Sequence, residues 1–253
     1  MSPSRRSIVI AALTLLSSAA PLTAATAAAP VLQAPMLSSS TPFFISHGGG
    51  VHNAASTSTN WAGYAANGST YTSVTTTFTQ PKVTCSSGDQ YSSFWVGLDG
   101  YSSDSVEQTG TEADCAGRTA EYSAWYEMYP ADPVTYSNTV KPGDVITETV
   151  SEASNKYTLT LKDTTEGWTK TTTKTESGLA RSSAEVIAEA PYSGGVLPLA
   201  NFGTVKFSGS TVDGSSLSST SPTQINMATT AGKAEATTSS LSGGAFSITW
   251  NSK

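Results

Sequence analysis

The chain is short of histidine, cysteine and charge, and each shortage closes off a class of chemistry. Only two histidines occur in 253 residues, His47 and His52, and both come before residue 56. A Ser-His-Asp triad, a Cys-His pair and a His-ligated metal all require an imidazole placed inside the folded domain. Those mechanisms are hard to build in a domain that begins at residue 56. The cysteines are also two, Cys85 and Cys115. With no histidine near them they do not suggest a metal site, and an even count in an exported chain reads as one disulfide closing a loop. Neither a metal nor a cofactor is expected.

Charged residues make up 13% of the sequence, and Ser, Thr and Gly take their place, which suits strands and turns better than long helices. The balance is acidic, 13 basic residues against 19 acidic, and every acid lies at or beyond Asp89. No basic run in the second half could grip a phosphate backbone, so nucleic acid is not expected as a partner. No segment approaches the ~20 consecutive apolar residues that a membrane-spanning helix needs. A soluble monomer is expected, with no membrane partner.

The first residues have the pattern of an export signal. Arg5 and Arg6 are followed by an apolar run from Ile8 to Leu16 and by small residues at Ala25-Thr26-Ala27 and Ala27-Ala28-Ala29. The Arg pair also suits a twin-arginine signal. Residues 1–29 are therefore expected to be a secretion signal and the protein to be extracellular. Residues 30–55, with Pro30, Pro35, Pro42 and Gly48-Gly49-Gly50, read as a flexible linker or short pro-segment. The remaining residues, 56–253, are expected to form one domain.

Within that domain apolar residues alternate at period two, and turn residues separate the segments. Phe94, Val96 and Leu98 oppose Ser93, Trp95, Gly97 and Asp99, while Tyr122, Ala124, Tyr126 and Met128 oppose Glu121, Ser123, Trp125, Glu127 and Tyr129. In the stretch RSSAEVIAEAP, Ala184, Val186 and Ala188 oppose Arg181, Ser183, Glu185, Ile187 and Glu189. Further strands are expected around 71–79, 144–150, 157–162, 168–176, 204–208 and 246–250. Many short antiparallel strands imply a β-sandwich or jelly-roll-like fold. One face of several strands sets large aromatics beside carboxylates, as a groove for an extended ligand would. Read this way alone, a carbohydrate-binding module, a carboxylate-pair glycoside hydrolase and a peptidase all remain open. With imidazole excluded, the proton carriers left are carboxylates.

Six short motifs narrow the choice. They are Asn60-Trp61-Ala62-Gly63, Trp95-Val96-Gly97-Leu98-Asp99-Gly100, Glu107-Gln108-Thr109-Gly110, Ala124-Trp125-Tyr126-Glu127-Met128-Tyr129-Pro130, Ala184-Glu185-Val186-Ile187 and Leu199-Ala200-Asn201-Phe202-Gly203. Their identity and order resemble the glutamic peptidases, or eqolisins. The resemblance implies an all-β, antiparallel β-sandwich of two seven-stranded sheets in a single domain, with substrate held in a concave groove. It also implies a catalytic dyad of Gln108 and Glu185, acting on protein or peptide substrates in acid. Glu185 would be the general base that activates water, and Gln108 would stabilise the oxyanion. By motif position Trp61, Trp95, Asp99, Glu127 and Tyr129 would line or order the groove. Met128 and Val186 stand where many members carry aromatics, which bears on subsite preference more than on the reaction. A carboxylate base suits acid, since an imidazole with a pKa of about 6.5 is already protonated there. Glu189 shares a face with Glu185 and receives no role from the sequence.

Overall fold

Period-two alternation becomes extended backbone along almost the whole domain. The computed structural model of the protein describes residues 56–253; the expected signal at 1–29 and the segment 30–55, with His47 and His52, lie outside the described residues. Sixteen strands are present among them. In chain order they are β1 (Ser56–Ser58), β2 (Trp61–Asn67), β3 (Ser73–Thr79), β4 (Ser93–Leu98), β5 (Val106–Ala116), β6 (Thr119–Tyr129), β7 (Val134–Tyr136) and β8 (Val145–Ala153). They continue with β9 (Lys156–Asp163), β10 (Trp168–Thr175), β11 (Ser183–Glu189), β12 (Thr204–Val212), β13 (Ser215–Ser216), β14 (Thr223–Ala228), β15 (Ala234–Thr238) and β16 (Phe246–Trp250). The described helical structure is a single 3-10 turn, Leu217–Thr220. The domain is all-β, and its pairings are antiparallel except for β1 on β14.

Hydrogen bonding links fourteen strands into one path, β10-β9-β8-β3-β12-β16-β15-β14-β2-β11-β4-β5-β6-β7, rather than into two separate seven-stranded sheets. The path doubles back on itself: β4 and β5 from its second half lie against β8 and β9 from its first, and β11 lies against β3. At its midpoint β14 pairs with β15 through a register shift between Met227 and Ala228. Such an irregularity bends a strand and sharpens its twist, which is what turning one layer over onto the other requires.

The interior between the layers is apolar because each strand contributes alternate residues to it. Phe94, Val96 and Leu98 of β4, Ala184, Val186 and Ala188 of β11, and Val74 and Phe78 of β3 all belong to one buried cluster. Phe78, Phe94, Phe202, Phe207 and Phe246 form a chain of ring contacts through it, with centroids 5.0–6.0 Å apart. Burying each such side chain contributes ~1.5–3 kcal/mol. Cys85 and Cys115 are joined as expected, with Cα atoms 5.5 Å apart, tying the segment before β4 to the far end of β5.

Candidate active site

The other face of the β2-β11-β4-β5-β6 layer carries a second, smaller buried cluster of Trp61, Ala65, Trp95, Val106, Trp125, Ile187 and Ile225, with Tyr101 and Tyr129 packed against it. Here register decides which side chains meet. Glu185 of β11 lies opposite Gly97 of β4, Gly97 opposite Gln108 of β5, and Gln108 opposite Glu127 of β6. Directly paired residues project to the same side of a sheet. One row across the layer therefore reads Glu185, Gly97, Gln108, Glu127. Ala65 of β2 extends it beyond Glu185.

The middle of that row carries no side chain, because the residue there is Gly97. A Cβ there would stand 3.0 Å from Trp95 Cζ3, 3.2 Å from Gln108 Cβ and 3.2 Å from Val106 Cγ1. The backbones of Glu185 and Gln108 are two strand spacings apart, roughly 9–10 Å. Both side chains rise beside a position that offers only backbone. The neighbouring row is Ile187, Trp95, Gly110, Trp125. A Cβ on Gly110 would come within 2.6 Å of Trp95 Cβ and 2.4 Å of the Phe94 carbonyl oxygen, so a glycine is what admits the Trp95 side chain.

Gln108 is fully buried, and its Nε2 donates to Glu127 Oε2 at 2.5 Å. Its Oε1 has no hydrogen-bond partner among the described residues. An amide nitrogen has two N–H groups, so one remains beyond the Glu127 bond. Next to it, Thr109 Oγ1 donates to the Trp125 carbonyl at 2.6 Å, holding β5 to β6 from the opposite face.

Glu185 is also fully buried, and neither of its oxygens makes a hydrogen bond of good geometry. Burial pushes its carboxyl well above the usual 4.5; the nearby Ser183 hydroxyl and Tyr101 amide work against the rise, and the Asp99 and Glu107 charges add to it. Removal from water thus favours the protonated form in acid.

Asp99 serves the approach to β11. It has a left-handed φ of 70° just after β4. Its carboxylate accepts from the Arg181 N–H at 2.6 Å, the Ser182 N–H at 2.8 Å, the Ser182 hydroxyl at 3.1 Å and the Ser103 hydroxyl at 3.0 Å. Its own N–H donates to the Ser183 carbonyl at 3.0 Å. These bonds fix the chain two residues before Glu185 and tie the 101–105 loop to it.

Trp61 and Trp95 meet edge to face, centroids 4.9 Å apart. Tyr129, half-buried at the end of β6, borders the same cluster. Sequence reasoning thus selected residues that share one face. It missed Gly97 and Gly110 as shapers of that face, although period two from Trp95 and from Gln108 places them on it. Among the described residues, no group of three His, Cys, Asp or Glu is arranged to hold a metal ion.

The chain is similar to several known proteins. Aspergillopepsin-2 of Aspergillus niger is 34% identical over 177 residues, 59% of this chain and 62% of its own, so the chain spans about six tenths of that relative's length. Scytalido-glutamic peptidase, solved with a peptide-based transition state analog, superposes with a TM-score of 0.66 at 28% identity, covering 76% of this chain and 98% of the other. Aspergilloglutamic peptidase from Aspergillus niger superposes with a TM-score of 0.54 at 29% identity, covering 64% and 99%. A sequence profile of the peptidase A4 family matches residues 59–250, most of the described domain, and on that match the chain belongs to the peptidase A4 family.

Proposed function

We propose that the protein is a secreted endopeptidase that hydrolyses peptide bonds of protein substrates in acid through Gln108 and Glu185. The observation that carries this reading is the in-register row Glu185, Gly97, Gln108, with a side-chain-free position between the two reactive groups. In this reading the water and the scissile carbonyl are held over Gly97, between the two groups. Scytalido-glutamic peptidase, solved with a peptide-based transition state analog, supports the same chemistry.

In this reading the Gln108 Oε1 accepts a hydrogen from the attacking water, and the free Nε2 hydrogen donates to the oxygen that becomes negative. Glu127 accepts the other Nε2 hydrogen and fixes which way the amide faces. Glu185, as the carboxylate, takes the water's proton as the oxygen bonds to the carbonyl carbon, then passes a proton to the leaving amine as the C–N bond breaks, so the carboxylate is restored at the end of the cycle. Because burial favours the neutral carboxyl, the base form is reached when incoming water and substrate resolvate the site. The titration of Glu185 in activity is therefore expected above 4.5 rather than at it. Trp61, Trp95 and Tyr129 form the groove walls, and Asp99 holds the approach to β11 in place.

Cleavage of an acid-denatured protein by the mature form, from about pH 2 to pH 7, tests the proposal around the ~4.3 carboxylate reference. Glu185→Gln is expected to abolish turnover. Gln108→Ala, which removes a donor to the developing oxyanion, should cost ~10²–10³ in kcat. Turnover that survives Glu185→Gln in a folded protein would sink the assignment. A carboxylate-pair glycosidase would instead tolerate Gln108→Ala, so the same variants separate the two chemistries.

A further inference from the structure

We infer that Glu189 is a positioning residue for the dyad, acting through the indole of Trp95; this rests on the peptidase reading above. Glu189 closes β11, four residues after Glu185 and on the same face. It is 1% exposed. Its Oε2 accepts the Trp95 Nε1–H at 2.8 Å, and its Oε1 accepts from Asn60 Nδ2 at 3.4 Å. A buried indole N–H thus has a carboxyl oxygen as its acceptor. The pyrrole side of Trp95 is thereby tied to β11.

The opposite edge of the same ring reaches the dyad. Trp95 Cζ3 lies 3.0 Å from where a Cβ of Gly97 would stand, so the ring edge covers the side-chain-free position between Glu185 and Gln108. Trp61 contacts the ring edge to face, and Gly110 lies beneath its first side-chain carbon. With one edge anchored by Glu189 and the other lying over Gly97, a rotation of the indole changes the space in which water and carbonyl must sit. Glu189 thus sets the shape of the reaction space from about two rows away, without touching substrate itself. Glu185 and Glu189 have different tasks despite sharing a strand and a face: one borders the position over Gly97, the other holds the ring that covers it.

The test is a double-mutant cycle between Glu189 and Trp95, read as kcat and KM on a quenched-fluorescent peptide in acid, with far-UV circular dichroism as the check on folding. Misplacing a reacting group by about 1 Å can cost 10²-fold, so Glu189→Ala should lower kcat by roughly ten- to a hundredfold with a smaller change in KM. Glu189→Gln keeps an oxygen that accepts the indole hydrogen and should recover most of the loss. In a Trp95→Phe background, where there is no N–H to hold, Glu189→Ala should add almost nothing. Equal losses from Glu189→Ala in both backgrounds, or no recovery by Gln, would overturn the inference. If Glu189→Ala does not fold, Trp95→Phe alone decides: a kcat loss of the same order supports the positioning role, and wild-type kcat overturns it. An inactive wild type, or activity that survives Glu185→Gln, refutes the peptidase reading itself. Activity that depends on Glu185 but is indifferent to Glu189→Ala refutes only the positioning.

Discussion

The fold should weaken as pH rises from acid to neutral, and Glu107→Gln should remove much of that weakening. Glu107 precedes Gln108 on β5 and points to the opposite face, where it is 1% exposed and neither oxygen has a hydrogen bond of good geometry. Burial, then the charge of Asp99, pushes its carboxyl up to about 8 from 4.5. In the unfolded chain the group gives up its proton near 4.5; in the folded chain it keeps it to about 8. Between those values the folded state binds more protons than the unfolded state, so stability falls with increasing pH. At ~1.36 kcal/mol for each tenfold change in proton affinity, that interval is worth roughly 5 kcal/mol, fully present below 4.5 and gone by about 8.

Other buried carboxyls act in the same direction. Burial pushes Glu112 up to about 7. It also raises Glu148 well above the ordinary range; this residue faces the apolar interior between Thr76 and Leu161, with neither oxygen partnered among the described residues. A domain has only ~5–15 kcal/mol of net stability, so these groups together can unfold it near neutrality. The assay is urea unfolding, followed by tryptophan fluorescence at steps from about pH 4 to pH 8, spanning the ordinary and buried carboxyl values, in a Gln108→Ala background to suppress self-cleavage. The parent's free energy of unfolding should fall steadily. Glu107→Gln should match the parent near pH 4.5 and exceed it by several kcal/mol near 8, because the amide has no proton to lose. A parent whose stability is flat or rising over this interval, or a Gln variant equally destabilised at both ends, would refute the reasoning.

Two further perturbations probe the site and its frame. Gly97→Ala puts a methyl 3.0 Å from Trp95 Cζ3 and 3.2 Å from Gln108 Cβ; the overpacking should cost ~1–3 kcal/mol of stability, and kcat/KM on a peptide should fall more than about tenfold as the reaction space fills, whereas unchanged kinetics would mean that the position over Gly97 is not where the chemistry occurs. Replacing both Cys85 and Cys115 by Ser opens a loop with a sequence separation of 30. Chain entropy predicts a loss of ~4 kcal/mol, measurable as a lower urea midpoint at acid pH, and no loss would show that the bridge adds little to a closed frame.

The faces of the strands were legible in the sequence because alternation is local. Phe94, Val96 and Leu98 went to the main core and Trp95 to the opposite cluster, as period two requires. The same held for Ala184, Val186 and Ala188 against Ile187. β5 was harder to read: VEQTGTEADCA has three acids or amides on one face and little β-propensity, so only its motif marked it. Its extended conformation comes from pairing along its length with β6 and with β4. The depth of burial was not legible either. Glu107, Glu112, Glu148 and Glu185 look like surface residues by type, and only the second layer and the groove face reveal that they are enclosed.

Register explains why the site needed more than alternation. Period two says that Gln108, Glu127 and Glu185 each lie on one of two faces of their strands; it does not say that they share a row. Long-range pairing supplies that: the β5–β6 hairpin fixes Gln108 opposite Glu127 through a tight turn between Ala116 and Thr119, and β4 carries the alignment on to β11. A slip of one residue between β4 and β11 would turn Glu185 into the main core and expose Val186 on the groove, at the cost of burying a carboxyl among Phe94, Val96 and Leu98. The apolar face of β11 therefore specifies the position of its acidic face. The alanines and valine that look like filler, Ala184, Val186 and Ala188, are what hold Glu185 opposite Gly97 and Glu189 under Trp95.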